Sequence, residues 1–195
     1  MIQYRITTQA DMPEVARVHQ KCFPGTFIAS FGQKLISDYY TEFYNENPLF
    51  VLVEKDGTIE GFCMGYMTGS EARNRFMSKC KIRLAFRMLF LCMTFNKLAI
   101  QKCLAFVMPK KKSTPSKKVK ADADLLSICV TDNLKGTGAS KELVAKFEEL
   151  LVERKVKNYT LAVYKNNARA IGFYKKMGFE TVAETFDEYK MIKNI

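Results

Sequence analysis

The sequence predicts an α+β fold, and three stretches carry that prediction. Residues 49–67 (LFVLVEKDGTIEGFCMGYM) read as two apolar strands joined by a tight turn. Residues 125–151 (LLSICVTDNLKGTGASKELVAKFEELL) read as a buried-type strand, a glycine-bearing turn and an amphipathic helix. Residues 159–192 then add a further strand, a short helix and two closing strands, so helices and strands mix without strict alternation.

Each element has a local reason. Gln3–Thr7 alternates as an edge strand does. Asp11 is placed to cap a helix running to about Cys22, with Pro13 tolerated in its first turn. Phe23-Pro24-Gly25 breaks it, and Phe31, Leu35, Ile36, Tyr39, Tyr40 and Phe43 recur at helical spacing over Phe31–Asn45. Asn47-Pro48 stops that second helix. Leu49–Glu54 and Thr58–Met67 pair across Lys55-Asp56-Gly57, a good hairpin turn. After the central strand come a helix over Ala139–Arg154, a strand over Tyr159–Tyr164, and a helix over Ala168–Met177 closed by Gly178. Glu180–Thr185 and Glu188–Ile192 complete the sheet.

Between the third and fourth strands lies an insert at about 70–120. Phe76–Met108 is helical in pattern, interleaving Phe, Leu, Met and Ile with Lys and Arg. Its aromatics Phe76, Phe86, Phe90, Phe95 and Phe106 read as the buried face of a helical pair. A basic, proline-broken run, Pro109–Lys118, follows. The chain carries a formal charge of +11, all of it from this region: Ser70–Lys120 has a net charge of +13 and the remainder −2. Such a segment can lie on an anionic membrane surface, dock an acidic substrate or partner, bind nucleic acid, or simply pack while its lysines stay solvated. The aromatics read as packing rather than stacking residues, so no specific nucleic acid is expected.

At 195 residues and 48% hydrophobic, the chain has enough core for one domain over 1–195 without staples. Six cysteines (22, 63, 80, 92, 103 and 129) form no CxxC pair, and His19 is the one histidine, so no metal site is expected. Cysteines inside apolar runs suit a reducing compartment. The N-terminus has no apolar signal region, and no run is long enough to cross a bilayer. These features point to a cytoplasmic protein, with peripheral contact at the inner membrane surface as the insert's added option. His19 reads as a structural or surface residue.

The chemistry concentrates at the strand-to-helix join. A helix N-terminus exposes unpaired N–H groups and the positive end of its dipole. Gly136 and Gly138 bear no side chain to keep an anion away, and Lys135 adds a cation. An ordinary turn can also hold two glycines; the segment is neither a P-loop nor a GxGxxG fingerprint. Downstream, Asn167, Ala170, Ile171, Phe173, Tyr174, Gly178 and Phe179 spell N-x-x-A-I-x-F-Y-x-x-x-G-F.

Together with Lys135-Gly136-Thr137-Gly138-Ala139-Ser140, this resembles the GCN5-related N-acetyltransferase (GNAT) superfamily, over roughly residues 1–69 and 121–195. Lys135 stands where that family has Gln or Arg, and Ser140 where it has Gly or Ala. The resemblance implies a mixed, mostly antiparallel sheet of six or seven strands flanked by helices, and acetyl-CoA as cosubstrate. It implies that backbone at Gly136, Thr137, Gly138, Ala139 and Ser140 faces the pyrophosphate, and that Ile128, Cys129 and Val130 bond the pantetheine amides. Asn167 would cap its helix and bond the pantetheine arm, and Tyr174 would donate a proton to the leaving thiolate. A packing tyrosine is the alternative for Tyr174.

Asp124, six residues before Val130, holds the place of a histone-type catalytic glutamate; the alternative is a solvated acid beside Asp122. Ala162 stands where alanine-acetylating members carry a glutamate. The acceptor could be an amino sugar on an anionic carrier, as in bacterial members of surface-polysaccharide pathways that the chain weakly resembles, a protein amine or a small amine. A catalytically silent acyl-CoA-binding module that docks to membranes is the non-enzymatic reading. Either a monomer or a homodimer is compatible with the sequence.

Overall fold

A computed structural model describes residues 1–46, 48–94, 100 and 119–195. The described residues divide into two compact units: 1–6, 48–69 and 119–195 form one, and 7–46 with 70–94 and 100 form the other.

The first unit is a seven-stranded sheet with two helices on one face. Its strands are β1 (Ile2–Ile6), β2 (Leu49–Lys55), β3 (Thr58–Met67), β4 (Ala123–Val130), β5 (Asn158–Tyr164), β6 (Glu180–Glu184) and β7 (Glu188–Asn194). Their spatial order is β1-β2-β3-β4-β5-β7-β6. Of the described strand pairs β4–β5 is parallel and the others are antiparallel. The expected hairpin forms with Lys55 opposite Thr58, and β1 occupies the edge that its short alternating sequence suggested.

Two helices of this unit, Ala139–Glu153 and Ala168–Lys176, bury Leu143, Phe147, Leu151 and Tyr174 against Val51, Cys63, Leu125, Tyr159, Leu161 and Met191. The apolar side chains of the first recur every three or four residues, which puts them on one stripe. Odd-numbered β5 residues face this core, so Thr160 and Ala162 lie on the opposite sheet face.

The second unit holds α1 (Met12–Cys22), α2 (Gln33–Glu46) and α3 (Ala72–Met93); the sheet unit's helices are α4 (Ala139–Glu153) and α5 (Ala168–Lys176). Asp11 occupies the N-cap position of α1 as expected, but its side chain makes no cap hydrogen bond to that helix. A 3-10 turn over Gln9–Asp11 precedes the helix, and the Asp11 carboxylate accepts from the Thr8 N–H at 2.7 Å and its hydroxyl at 2.8 Å. Helix α2 starts at Gln33 rather than Phe31 because Gly32, at φ 87°, interrupts the helical path after a 3-10 turn at Ala29–Phe31.

His19 is buried: its Nδ1 lies 2.8 Å from the Tyr40 hydroxyl, and burial lowers its pKa to about 4. Helix α3 packs Phe76, Cys80 and Leu84 on Leu35. It is tied to α2 by Lys79 on Glu42 at 2.7 Å, Arg83 on Asp38 at 2.6 Å, and Arg75 on Glu46.

The expectation that the insert aromatics share a buried face fails. Phe76 is buried, whereas Phe86 and Phe90 are 70% and 53% exposed. Phe76, Cys80 and Leu84 repeat at four residues along one face, and Phe86 and Phe90 fall on another. Phe95, Phe106 and the Pro109–Lys118 run lie outside the described residues.

Candidate active site

The sheet opens where β4 leaves β5. Their pairing covers only Ala123–Leu125 against Tyr159–Leu161, although β4 continues to Val130 and β5 to Tyr164. A bulge marks the departure: Gly65 of β3 faces Leu125 and Met64 faces Ser127, so Leu126 is an extra residue. An extra residue inverts the side-chain alternation. Before it Ala123 and Leu125 belong to the helix-side core; after it Ile128 and Val130 pack there, and Cys129 turns to the other face. Leu125 and Leu126, adjacent apolar residues in an otherwise alternating strand, are the mark that this bulge leaves in the sequence.

The chain beyond β4 is anchored back to β3. Thr131 N–H donates to the Glu60 carbonyl at 2.7 Å, its hydroxyl donates to the Glu60 carboxylate, and Asn133 Nδ2 donates to Glu60 Oε1 at 2.7 Å. A 3-10 turn over Asp132–Leu134 leads into the glycine segment. Gly136 and Gly138 adopt φ of 80° and 85°, and a methyl group added at either would meet no atom within 4 Å. Gly138 is the N-cap of α4, its carbonyl accepting from Lys141 at 2.9 Å and Glu142 at 3.1 Å.

The backbone from Gly136 to Ser140 therefore combines left-handed turns, open space and a helix N-terminus. Those features fit an extended anion such as a pyrophosphate. Thr137 secures the turn through its hydroxyl on the Leu134 carbonyl at 2.8 Å. The Lys135 ammonium pairs with the Asp132 carboxylate, so an arriving anion would compete with that carboxylate.

Asn167 caps α5, its side-chain oxygen accepting from Ala170 N–H at 3.1 Å. About two turns later Tyr174 lies 8% exposed, its ring edge-on to Phe173 and Phe179. Burial, with smaller contributions from the Cys63 and Cys129 thiols, pushes its phenol well above the ordinary value. The group is thus held in its proton-bearing form at neutral pH.

On the face opposite the α4–α5 core, Asp124 Oδ1 accepts from the Thr160 hydroxyl and lies 3.0 Å from Lys190 Nζ. Lys190 is opposite Ala162, the first β5 residue beyond the paired segment. Both line a cavity of about 430 Å³ whose wall also carries Lys120, Glu184, Glu188 and Tyr189. Thr160 and Lys190 are polar neighbours of Asp124 that the linear reading missed; both become visible only through cross-strand register. Among the described residues, no group of His, Cys, Asp and Glu is arranged to hold a metal ion, and no helix is long and apolar enough to cross a membrane.

Comparison with known proteins finds one partial family match and several similar folds. Residues 94–179 match the acetyltransferase (GNAT) family. The whole chain superposes on PH1933 from Pyrococcus horikoshii (TM-score 0.65, 14% identity, 99% of that chain) and on Ard1 from Thermoplasma volcanium (TM-score 0.61, 19% identity, 97% of that chain). It also superposes on the PaiA N-acetyltransferase of Thermoplasma acidophilum in complex with coenzyme A (TM-score 0.57, 15% identity, 99% of that chain). At these identities the likeness is one of fold.

Proposed function

We propose that this chain, whose residues 94–179 match the acetyltransferase (GNAT) family, is a member of that family and uses acetyl-CoA to acetylate a primary amine by direct transfer. The observation that carries the proposal is the opening between β4 and β5 leading to the glycine cradle at the start of α4. Strand residues Ile128, Cys129 and Val130 border that opening and offer backbone groups to the pantetheine arm. Gly136–Ser140 receives the pyrophosphate, a role that its left-handed glycines, open space and helix N-terminus support. Asn167, while capping α5, stands at the end of β5 beside the same opening.

In the transfer, the amine nitrogen forms a bond to the thioester carbon and the carbon–sulfur bond breaks. Tyr174 gives its proton to the departing sulfur, and Asp124 takes the proton that the amine nitrogen sheds, directly or through water. The raised phenol keeps the donor loaded, although it also makes Tyr174 a weaker acid than a free tyrosine. Backbone N–H groups on β4 can polarise the thioester carbonyl.

The cavity beside Ala162 is the acceptor site in this reading. Glu184 and Glu188 suit an ammonium group, while Lys120 and Lys190 suit an anionic portion of the same molecule. That combination supports an amino sugar on a nucleotide or lipid diphosphate, as does the +13 charge of residues 70–120. The test is release of free thiol from acetyl-CoA with amino-sugar nucleotides, small amines and peptides as acceptors. Faster turnover with the anionic amino sugars supports the reading; preference for neutral amines or peptides overturns the acceptor assignment. Tight coenzyme A binding without thiol release from any acceptor would make the chain an acyl-CoA-binding module.

A further inference from the structure

We propose that the C-terminal half of α3 docks on an anionic lipid surface. Ile82, Phe86, Leu89 and Met93 recur at intervals of four, three and four residues, which sets them on one helix face. All four are exposed, Phe86 and Met93 at 70% each, and Phe90 stands beside them. This stripe opposes the one formed by Phe76, Cys80 and Leu84, which packs on α2. Helix α3 is thus apolar on two faces, one committed to its own unit and one turned to solvent. From Ile82 to Met93 the exposed face is about 16 Å long, enough to lie in an interface and too short to cross one.

Charge selects the occupant. Across Ala72–Met93 there are six cations (Arg73, Arg75, Lys79, Lys81, Arg83 and Arg87) and no acid. Three of them face acids of α2. Arg73 and Lys81 are exposed, and Arg87 donates to the Ser30 carbonyl at 3.0 Å with its guanidinium over the Phe90 ring. The sequence then adds eight further cations up to Lys120 without an acid. A second copy brought against this face would set like charges together. A negatively charged lipid headgroup layer attracts the cations and accepts the apolar side chains beneath it.

The experiment is sedimentation of the full chain with phosphatidylcholine vesicles and with vesicles that also contain phosphatidylserine, at low and high salt and without acetyl-CoA. Binding should need phosphatidylserine, weaken as salt rises, and fall roughly 10-fold or more in F86S/L89S, whose side chains are exposed and whose melting temperature should match the parent's. Lys81→Glu should weaken it further while leaving thiol release with a soluble amine unchanged. Equal binding to both vesicle types, no binding, or a dimer that F86S/L89S dissolves would each overturn the proposal. Because vesicle binding is read without turnover, its failure is distinguishable from failure of the acetyl-transfer reading.

Discussion

Replacing Gly138 by valine separates the coenzyme cradle from the fold. Gly138 sits at φ 85°, and a side chain there would meet no atom within 4 Å. The protein therefore has room for the group, and the cost is confined to forcing an L-residue into the left-handed region, about 1–2 kcal/mol. For a chain of this size each kcal/mol lowers the melting temperature by about 2–4 °C, so the variant should melt roughly 2–8 °C lower and stay folded. The ligand meets the opposite situation, since the valine would occupy the space through which a pyrophosphate reaches the backbone. Losing one charge-assisted hydrogen bond, about 1.5–3 kcal/mol, raises the coenzyme A Kd roughly 10- to 100-fold.

Gly65→Ala is the contrasting control. Its added carbon would lie 2.5 Å from the Phe147 ring and 2.6 Å from the Asp124 carbonyl, so it should lower stability by overpacking. Calorimetric titration with coenzyme A, alongside thermal melts, reads both quantities. A folded Gly138→Val protein with the parent's Kd would refute the cradle.

Four further outcomes follow from the same geometry. Tyr174→Phe keeps the ring between Phe173 and Phe179 and should lower kcat roughly 10²-fold or more with little change in KM for acetyl-CoA; an unchanged kcat would assign Tyr174 to packing. Asp124→Asn should slow turnover, whereas Lys190→Met should affect mainly acceptor KM; identical effects would reduce Asp124 to an anchor for Lys190. Glu60→Gln should weaken coenzyme A binding with a small loss of stability, because both carboxylate oxygens hold the loop that leads to the cradle. His19 has a folded pKa of about 4, below its unfolded value near 6.5, so its contribution is present above pH 6.5 and is lost as pH falls towards 4. Denaturation at stepped pH should show a decline of at most about 3 kcal/mol across that window, much reduced in His19→Gln.

Local chemistry explains what was readable beforehand. The Lys55-Asp56-Gly57 hairpin, the Asn167 cap and the glycine-marked start of α4 each depend on neighbours within a few residues, and each forms as expected. Asp11 misled because two acceptor geometries compete at one side chain, and a capping box with Thr8 claims the carboxylate before α1 begins. The α3 aromatics misled because residue type was read without assigning each ring to a helix face. Lys190 and Thr160 were invisible for another reason. They are 66 and 36 positions from Asp124, and only the register of β5 with β4 and β7 brings them to it.

That register also explains how one strand carries Asp124 at its start and leads to the cradle at its end. Leu126 ends the β4–β5 pairing and inverts the strand's phase in the same step. Upstream of it, Asp124 points to the face that bears Thr160, Lys190 and the cavity wall. Downstream, Ile128 and Val130 hold the strand onto the helix-side core while its edge stands clear of β5. An unbulged strand would send Ile128 and Val130 to the opposite face and tend to zip onto β5, leaving no gap for a pantetheine arm. In the proposed reading one inserted residue therefore separates the acceptor side of β4 from its cofactor side. The distance between the two chemistries is set by the sheet's own spacing rather than by loop conformation.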